Sequence, residues 1–245
     1  MPEGPSIIIL KELLQPFKNK KVLDAKGNAA IEMSSLINKK VIDFKSHGKH
    51  FLICFDQFTL RVHFLLFGSY SIDTQIKAEK SIRLSLHFKN GVVYFYTCAI
   101  KELDKKPDET YDWTSDIMND KWNAGKALKK IKDQPNEMVC DVLLDQNIFA
   151  GVGNIIKNEV LYRIKMHPQS MVAHVPLTQL KLLIKEAHNY SFDFLKWKKE
   201  DVLRKNWLAY KKKICTRCNL PIIKTDTGKK HRSSYFCINC QYLYK

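Results

Sequence analysis

The chain lacks a long apolar run. Its longest, Gly91 to Ile100, is broken by Tyr94, Tyr96 and Thr97 and falls short of the roughly 18 residues that a membrane span needs. It also lacks a secretory opening, because Pro2, Glu3 and Gly4 supply neither a basic n-region nor an apolar h-region. It lacks a disulfide framework as well. Four of the seven cysteines form two Cys-x-x-Cys pairs, whereas Cys54, Cys98 and Cys140 are scattered and odd in number, which suits buried thiols. A soluble, intracellular protein is expected. Acidic residues are in deficit, with 25 Asp and Glu against 41 Lys and Arg, for a net charge of +16. Residues 196 to 245 hold 14 basic and three acidic residues, a net +11, and that concentration at one end points to a polyanionic partner.

What is present divides the chain. With 245 residues and 45% apolar content, it can bury a core and is expected to form two domains. Pro5 suits the start of a helix, and Ser6 to Phe17 has the apolar density of a buried one. Residues 21 to 97 read as strands. Ile82, Leu84, Leu86 and Phe88 alternate with polar residues and lead through an Asn90-Gly91 turn into Val92 to Tyr96, while Phe51 to Phe64 forms a second hairpin around Asp56-Gln57. Several strands in so short a stretch predict a sandwich or small barrel. Residues 104 to 123 read as a linker. Thereafter the period is helical, with helices predicted over 127–132, 136–144, 154–164 and 177–195.

Cys215, Cys218, Cys237 and Cys240 have the spacing of a four-thiolate zinc ribbon. A closed four-sulfur sphere leaves no position for a catalytic water, so the one zinc ion expected is structural. Lys224, Lys229, Lys230 and His231 between the knuckles read as a solvated loop. Arg232, near the second knuckle, carries a planar fork that suits a phosphate. In the middle, Leu143-Leu144-Asp145-Gln146 runs through Gly151 and Gly153 to Asn154. This reads as a helix end, a tight turn and an N-cap for the next helix, whose N-terminus can hold a phosphate.

Pro2 opens a chemical possibility. If Met1 is removed, Pro2 is a secondary amine beside Glu3. With an α-amino pKa near 8, roughly a tenth of such amines are neutral at pH 7, against about 0.04% of lysines. Attack on a sugar C1′ yields an iminium, an electron sink for elimination, and a neighbouring carboxylate can relay protons.

Met-Pro-Glu-Gly-Pro at the start, Gly48-Lys49 before an apolar strand, Leu-Leu-Asp-Gln to Gly-Val-Gly-Asn in the middle, and a ribbon ending Cys-Ile-Asn-Cys-Gln together resemble the formamidopyrimidine-DNA glycosylase and endonuclease VIII family of base-excision repair. The chain is closer to the endonuclease VIII branch. The resemblance spans nearly the whole chain and implies an α+β protein of two domains: an N-terminal helix plus β-sandwich, then a helix-two-turn-helix domain with a four-cysteine zinc finger. The boundaries expected are 1–118, 119–205 and 206–245. It implies Pro2 as nucleophile, Glu3 as acid/base group and Lys49 as a lysine acting near the sugar and its phosphate. Asn154 and Arg232 match a phosphate-binding pair, and Leu65, Leu66 and Phe67 match a loop that fills the stack after base flipping. The implied partner is double-stranded DNA with damaged bases or abasic sites, bound by a monomer beside the bacterial chromosome or in a eukaryotic nucleus.

The chain also departs from the pattern. Ser6 stands where the endonuclease VIII branch commonly has Glu, and Leu65 where it has a polar residue. Thr97 to Lys101 replaces the Arg-Phe pair that purine-directed members use on the opposite base. No glycine occurs from Lys196 to Ile214, where those members have a Gly-rich cover. The reading is therefore a bifunctional glycosylase and lyase that prefers oxidised pyrimidines and cleaves by β,δ-elimination. A purine-directed enzyme and a non-catalytic zinc-ribbon nucleic-acid binder remain alternatives.

Overall fold

A computed structural model describes residues 2–245. The chain forms two compact units that meet in sequence at Tyr111 and Asp112. Among the described residues, no helix is long and apolar enough to cross a membrane.

The first unit begins with helix α1 (Gly4–Leu13), where Pro5 occupies the first turn, and a 3-10 turn over Gln15–Phe17 continues it. Eight strands follow: β1 (Asp24–Lys26), β2 (Asp43–His47), β3 (His50–Cys54), β4 (Thr59–His63), β5 (Ser69–Ile72), β6 (Ile82–Phe88), β7 (Gly91–Tyr96) and β8 (Ala99–Glu102). They form two antiparallel four-stranded sheets, ordered β1-β6-β7-β5 and β2-β3-β4-β8. One core joins the sheets and α1: Ile7 and Leu10 from the helix and Leu14 just after it, Phe51 and Ile53 from one sheet, Leu84 and Phe95 from the other. The alternating pattern of β6 thus marks its buried face.

The β3–β4 hairpin lies where expected, but the β6–β7 turn is offset by one residue. Phe88 pairs with Gly91, so Lys89 and Asn90 make the turn. Gly91 opens β7 at φ 144°, and a Cβ there would lie 2.3 Å from Asp73 Oδ1, the oxygen that accepts from Val92 N. Glycine serves that close approach rather than the turn.

The predicted linker is more structured than its composition implies. It contains a short helix α2 (Pro107–Thr110) and a 3-10 turn capped by Asp112, and Ser115 to Met118 are buried. The second unit contains α3 (Ala124–Lys132), α4 (Val139–Leu144), α5 (Asn154–Arg163), α6 (Leu177–Lys199) and the hairpin β9 (Ile223–Thr227) and β10 (Arg232–Phe236). Helix α5 packs against α4, α6 and β10, and its residues 154–162 are all buried.

Candidate functional site

Pro2 is half-buried and Glu3 is wholly buried immediately before the first helical residue, with Glu3 O accepting from Ser6 N at 2.8 Å. Met1, whose removal the nucleophile requires, lies outside the described residues. Helix α1 packs on β2 and β3, whose two-residue turn is Gly48-Lys49. Gly48 has φ 55°, as hairpin turns of the primed types require. Lys49 is half-buried at that turn.

Around this turn lies a ring cluster that sequence reading did not single out. His47 stacks on Tyr111 at 4.5 Å between centroids, and His50 meets His63 edge-on at 5.4 Å. Burial first, then the charges of Arg61, His63, His47 and Lys49, pushes His50 down to about 3. Burial, Lys49 and Arg61 lower His63 likewise. His50 and His63 are therefore neutral at pH 7, and the fixed charge around them is cationic.

After His63 the chain turns outward. Leu65 adopts φ 52° and its N–H donates to His63 Nδ1 at 3.2 Å. Leu65, Leu66 and Phe67 are 51%, 50% and 74% exposed, whereas Phe64 is 2% exposed and belongs to the core. Three consecutive apolar side chains in water, the first on a left-handed residue, cost free energy unless something covers them. Further on, β7 passes to β8 through Thr97 and Cys98 alone, with Thr97 at φ 51° and Cys98 buried. No loop projects there.

In the second unit, α4 and α5 are joined by two successive turns. Asp145 shapes the first: its Oδ1 accepts from Asn147 N at 2.9 Å and its carbonyl from Phe149 N at 2.8 Å. Gln146 closes both, donating to the carbonyls of Leu144 and Val152 and accepting from Gly151 N. The Leu-Leu-Asp-Gln to Gly-Val-Gly-Asn stretch is thus a self-contained helix-two-turn-helix connection.

One expectation is corrected here. The N-cap of α5 is Gly153, and Asn154 is the first helical residue. Instead of capping, Asn154 Nδ2 donates to Ser233 O at 3.0 Å, next to Arg232 at the start of β10. Asn154 is thereby tied to the residue that follows Arg232. Two unpredicted residues reinforce the junction. Lys157, wholly buried, donates to Ser234 Oγ at 2.9 Å and Ser233 O at 3.3 Å. Asn158 donates to Ser233 O at 3.2 Å and accepts from Tyr235 N at 2.7 Å. The sequence signal was a helix with polar residues on every side, which needs polar partners wherever it is buried. Glu159 continues the pattern, accepting from the N–H groups of Leu208, Ala209 and Tyr210.

Cys215, Cys218, Cys237 and Cys240 bring their sulfurs within 4.8 Å of one another. Separations of 3.2, 3.3 and 3.7 Å approach the roughly 3.8 Å that a tetrahedron with 2.3 Å zinc–sulfur bonds gives, so the residues fit a structural metal ion. Tyr162 of α5 supports the cluster with its hydroxyl 3.1 Å from Cys215 Sγ, and Arg217 lies 3.8 Å from the Tyr162 ring centroid. Cys54, Cys98 and Cys140 are buried, and burial pushes their thiols up, to about 12 for Cys98. They are inert core residues, as expected.

Residues 1–100 match the family model "Formamidopyrimidine-DNA glycosylase N-terminal domain", and residues 115–192 match "Formamidopyrimidine-DNA glycosylase H2TH domain". Endonuclease 8-like 3 of Xenopus laevis is 29% identical over 231 residues, covering 90% of this chain and 38% of that protein. Endonuclease 8-like 2 of Bos taurus is 32% identical over 196 residues, 74% of this chain and 58% of that one. The chain spans little more than a third of the length of the first of these relatives. A viral DNA glycosylase structure superposes with a TM-score of 0.83 at 22% identity, over 98% of this chain and 100% of that one. A Lactococcus lactis formamidopyrimidine-DNA glycosylase bound to abasic-site DNA gives 0.84 at 20% identity, over 98% and 99%. These two share the fold. With both of its domain models matched in order along one chain, this protein belongs to the formamidopyrimidine-DNA glycosylase family.

Proposed function

We propose that the chain is a bifunctional DNA glycosylase and abasic-site lyase that removes oxidised bases and cleaves the strand by β,δ-elimination. The observation that carries this reading is Glu3, a carboxyl group wholly buried next to Pro2. Burying such a group is costly, and at the terminus of a helix in the first turns of the chain it serves proton transfer to and from the neighbouring amine. The neutral Pro2 nitrogen attacks C1′ of a flipped nucleotide, and the bond to the base breaks. Glu3 passes a proton to O4′ as the C1′–O4′ bond opens to the iminium, which then draws electrons as loss of the C2′ proton expels the 3′ phosphate. A second elimination expels the 5′ phosphate. Lys49 acts at the sugar and its phosphate, beside His50 and His63, which burial first and neighbouring positive charge second keep neutral.

Asn154 and Arg232 grip a backbone phosphate from the junction of α5 and β10, and Leu65, Leu66 and Phe67 fill the emptied stack. One zinc ion on the four cysteines supplies rigidity to this hairpin and no step of the reaction. The partner is double-stranded DNA with damaged bases or abasic sites, engaged by a monomer where the genome lies.

Oxidised pyrimidines are the preferred lesions. The two-residue passage Thr97-Cys98 offers nothing to read an opposite base, and the exposed leucines offer it no polar partner. The absence of glycine in 196–214 no longer supports this preference by itself, because Asp201 and Lys211 adopt left-handed conformations there without it. Single-turnover excision on matched duplexes tests the assignment. Dihydrouracil opposite adenine is removed faster than 8-oxoguanine opposite cytosine; the reverse order moves the chain to the purine-directed enzymes.

A further inference from the structure

Helix α3 and the first half of α6 pack side by side and leave a groove of about 470 Å³ on the second unit. Its floor is apolar, formed by Trp122, Ala124, Leu128 and Ile184, with Lys181 and Lys185 at its rim. The floor is fixed: Ile184 is buried, and the Trp122 ring packs against Phe149 at 5.8 Å. It is open at Gly125, where a Cβ would meet nothing within 4 Å except Asn123 Oδ1 at 3.2 Å. Nothing in the phosphate-gripping junction uses these residues.

The charge around the groove has one sign. From Trp122 to Lys132 there are four lysines and no acidic residue. Lys130 is tied to Asp112, while Lys126, Lys129, Lys181 and Lys185 form no ion pair among the described residues. On α6 the lining residues Lys181, Ile184, Lys185, His188 and Asn189 follow a three-and-four spacing, a single stripe about 12 Å long at 1.5 Å per residue. That length matches about two turns of a second helix laid along it. Intact duplex keeps its bases stacked inside and presents phosphates, which an apolar floor does not bind, and a membrane surface does not enter a concave slot. An amphipathic helix places its apolar side chains in such a groove at matching spacing.

We propose that this groove docks an acidic amphipathic helix of a partner protein, with apolar anchors against Trp122, Leu128 and Ile184 and carboxylates over Lys181 and Lys185. The charge sign selects the partner and speeds encounter, and the apolar floor provides the affinity.

The test uses the full chain and a fluorescein-labelled synthetic peptide of Glu and Leu, with leucines at i, i+3, i+4 and i+7, followed by anisotropy. Saturable binding is expected. Lys181→Glu with Lys185→Glu weakens it by about tenfold or more, whereas Lys39→Glu with Lys40→Glu, the same change of charge on the first unit, does not. Gly125→Leu fills the slot and weakens binding similarly; its melting curve is measured alongside, because the new Cβ must displace the Asn123 cap by a few tenths of an ångström. The proposal is overturned if no peptide binds or if the Lys181 and Lys185 variant binds as well as the parent. It is equally overturned if replacing the peptide's leucines with serine leaves affinity unchanged, or if undamaged duplex displaces the peptide, since either outcome makes the surface a general polyanion site. Concentration-dependent self-association abolished by Gly125→Leu assigns the groove to a second copy instead.

Discussion

Asn154 at the start of α5 and Ser233 in β10, 79 residues apart in sequence, are joined by a 3.0 Å hydrogen bond from the Asn154 amide to the Ser233 carbonyl. That bond places the positive end of a helix dipole beside Arg232. Lys157 fixes the same hairpin from below.

Arg232→Ala should weaken binding to all duplex sequences and reduce the slope of log affinity against log salt by about one. Lys157→Met, which contacts no solvent, should cost about 2–3 kcal/mol of stability through lost charge-assisted hydrogen bonds and weaken DNA binding by displacing Arg232. Thermal melting and salt titrations of both variants separate the two effects. An altered base preference with an unchanged salt slope in Arg232→Ala would assign that side chain a role other than phosphate binding.

Acid should destabilise the fold before the carboxylates titrate. His50 is held at about 3, below its ordinary 6.5, by burial and then by Arg61, His63, His47 and Lys49. The unfolded chain therefore binds a proton that the folded chain refuses between pH 6.5 and 3. Stability is whole above pH 6.5 and falls below it, by up to about 1.4 kcal/mol per pH unit for a single group. His63 and His167 shift in the same direction. Melting temperature measured from pH 7 to 5 should drop, and His50→Phe, which keeps a ring against His63 and Tyr111, should flatten the drop. An unchanged slope would show that His50 does not set it.

Strands and helices were legible in the sequence because burial imposes their periods: the alternation of β6 and the spacing in α3 and α6 required no distant partner. Turns and polar helices were less so. Gly91 was read as a turn residue, but its place depends on Asp73. Asn154 was read as a cap, but its partner is supplied by Ser233 from another element. The glycine-free stretch 196–214 was read as lacking the cover of purine-directed members, yet Asp201 and Lys211 take left-handed angles there without glycine. Local chemistry fixed local structure, and the polar contacts of the site were set by tertiary packing. The exposure of Leu65, Leu66 and Phe67 was reached only through family resemblance, since composition alone made them core.

Metal removal should act on the hairpin. Buried Tyr162, Ala209, Cys215, Ile222 and Cys237 form a small separate core, too small to persist without a cross-link. Cys237→Ser or chelation should release one zinc per chain, open residues 206–245 to protease and weaken DNA binding. Full protease resistance in metal-free protein would refute the structural role.

Phe67→Ala should slow excision from duplex DNA by about tenfold or more, because the wedge offsets unstacking worth a few kcal/mol. It should spare trapping on a single strand with a pre-formed abasic site, where no base needs to leave a stack. Equal losses on both substrates would place Phe67 in the chemistry or the fold.

In the proposed reaction the amine of Pro2 forms the covalent intermediate, assisted by buried Glu3. Borohydride reduction on abasic-site DNA measures this most directly, comparing protein that begins at Pro2 with protein that retains Met1 or an N-terminal tag. A covalent protein–DNA adduct, mapped by mass spectrometry to Pro2, is expected in the first preparation and none in the second. Undiminished trapping by the tagged protein would contradict it.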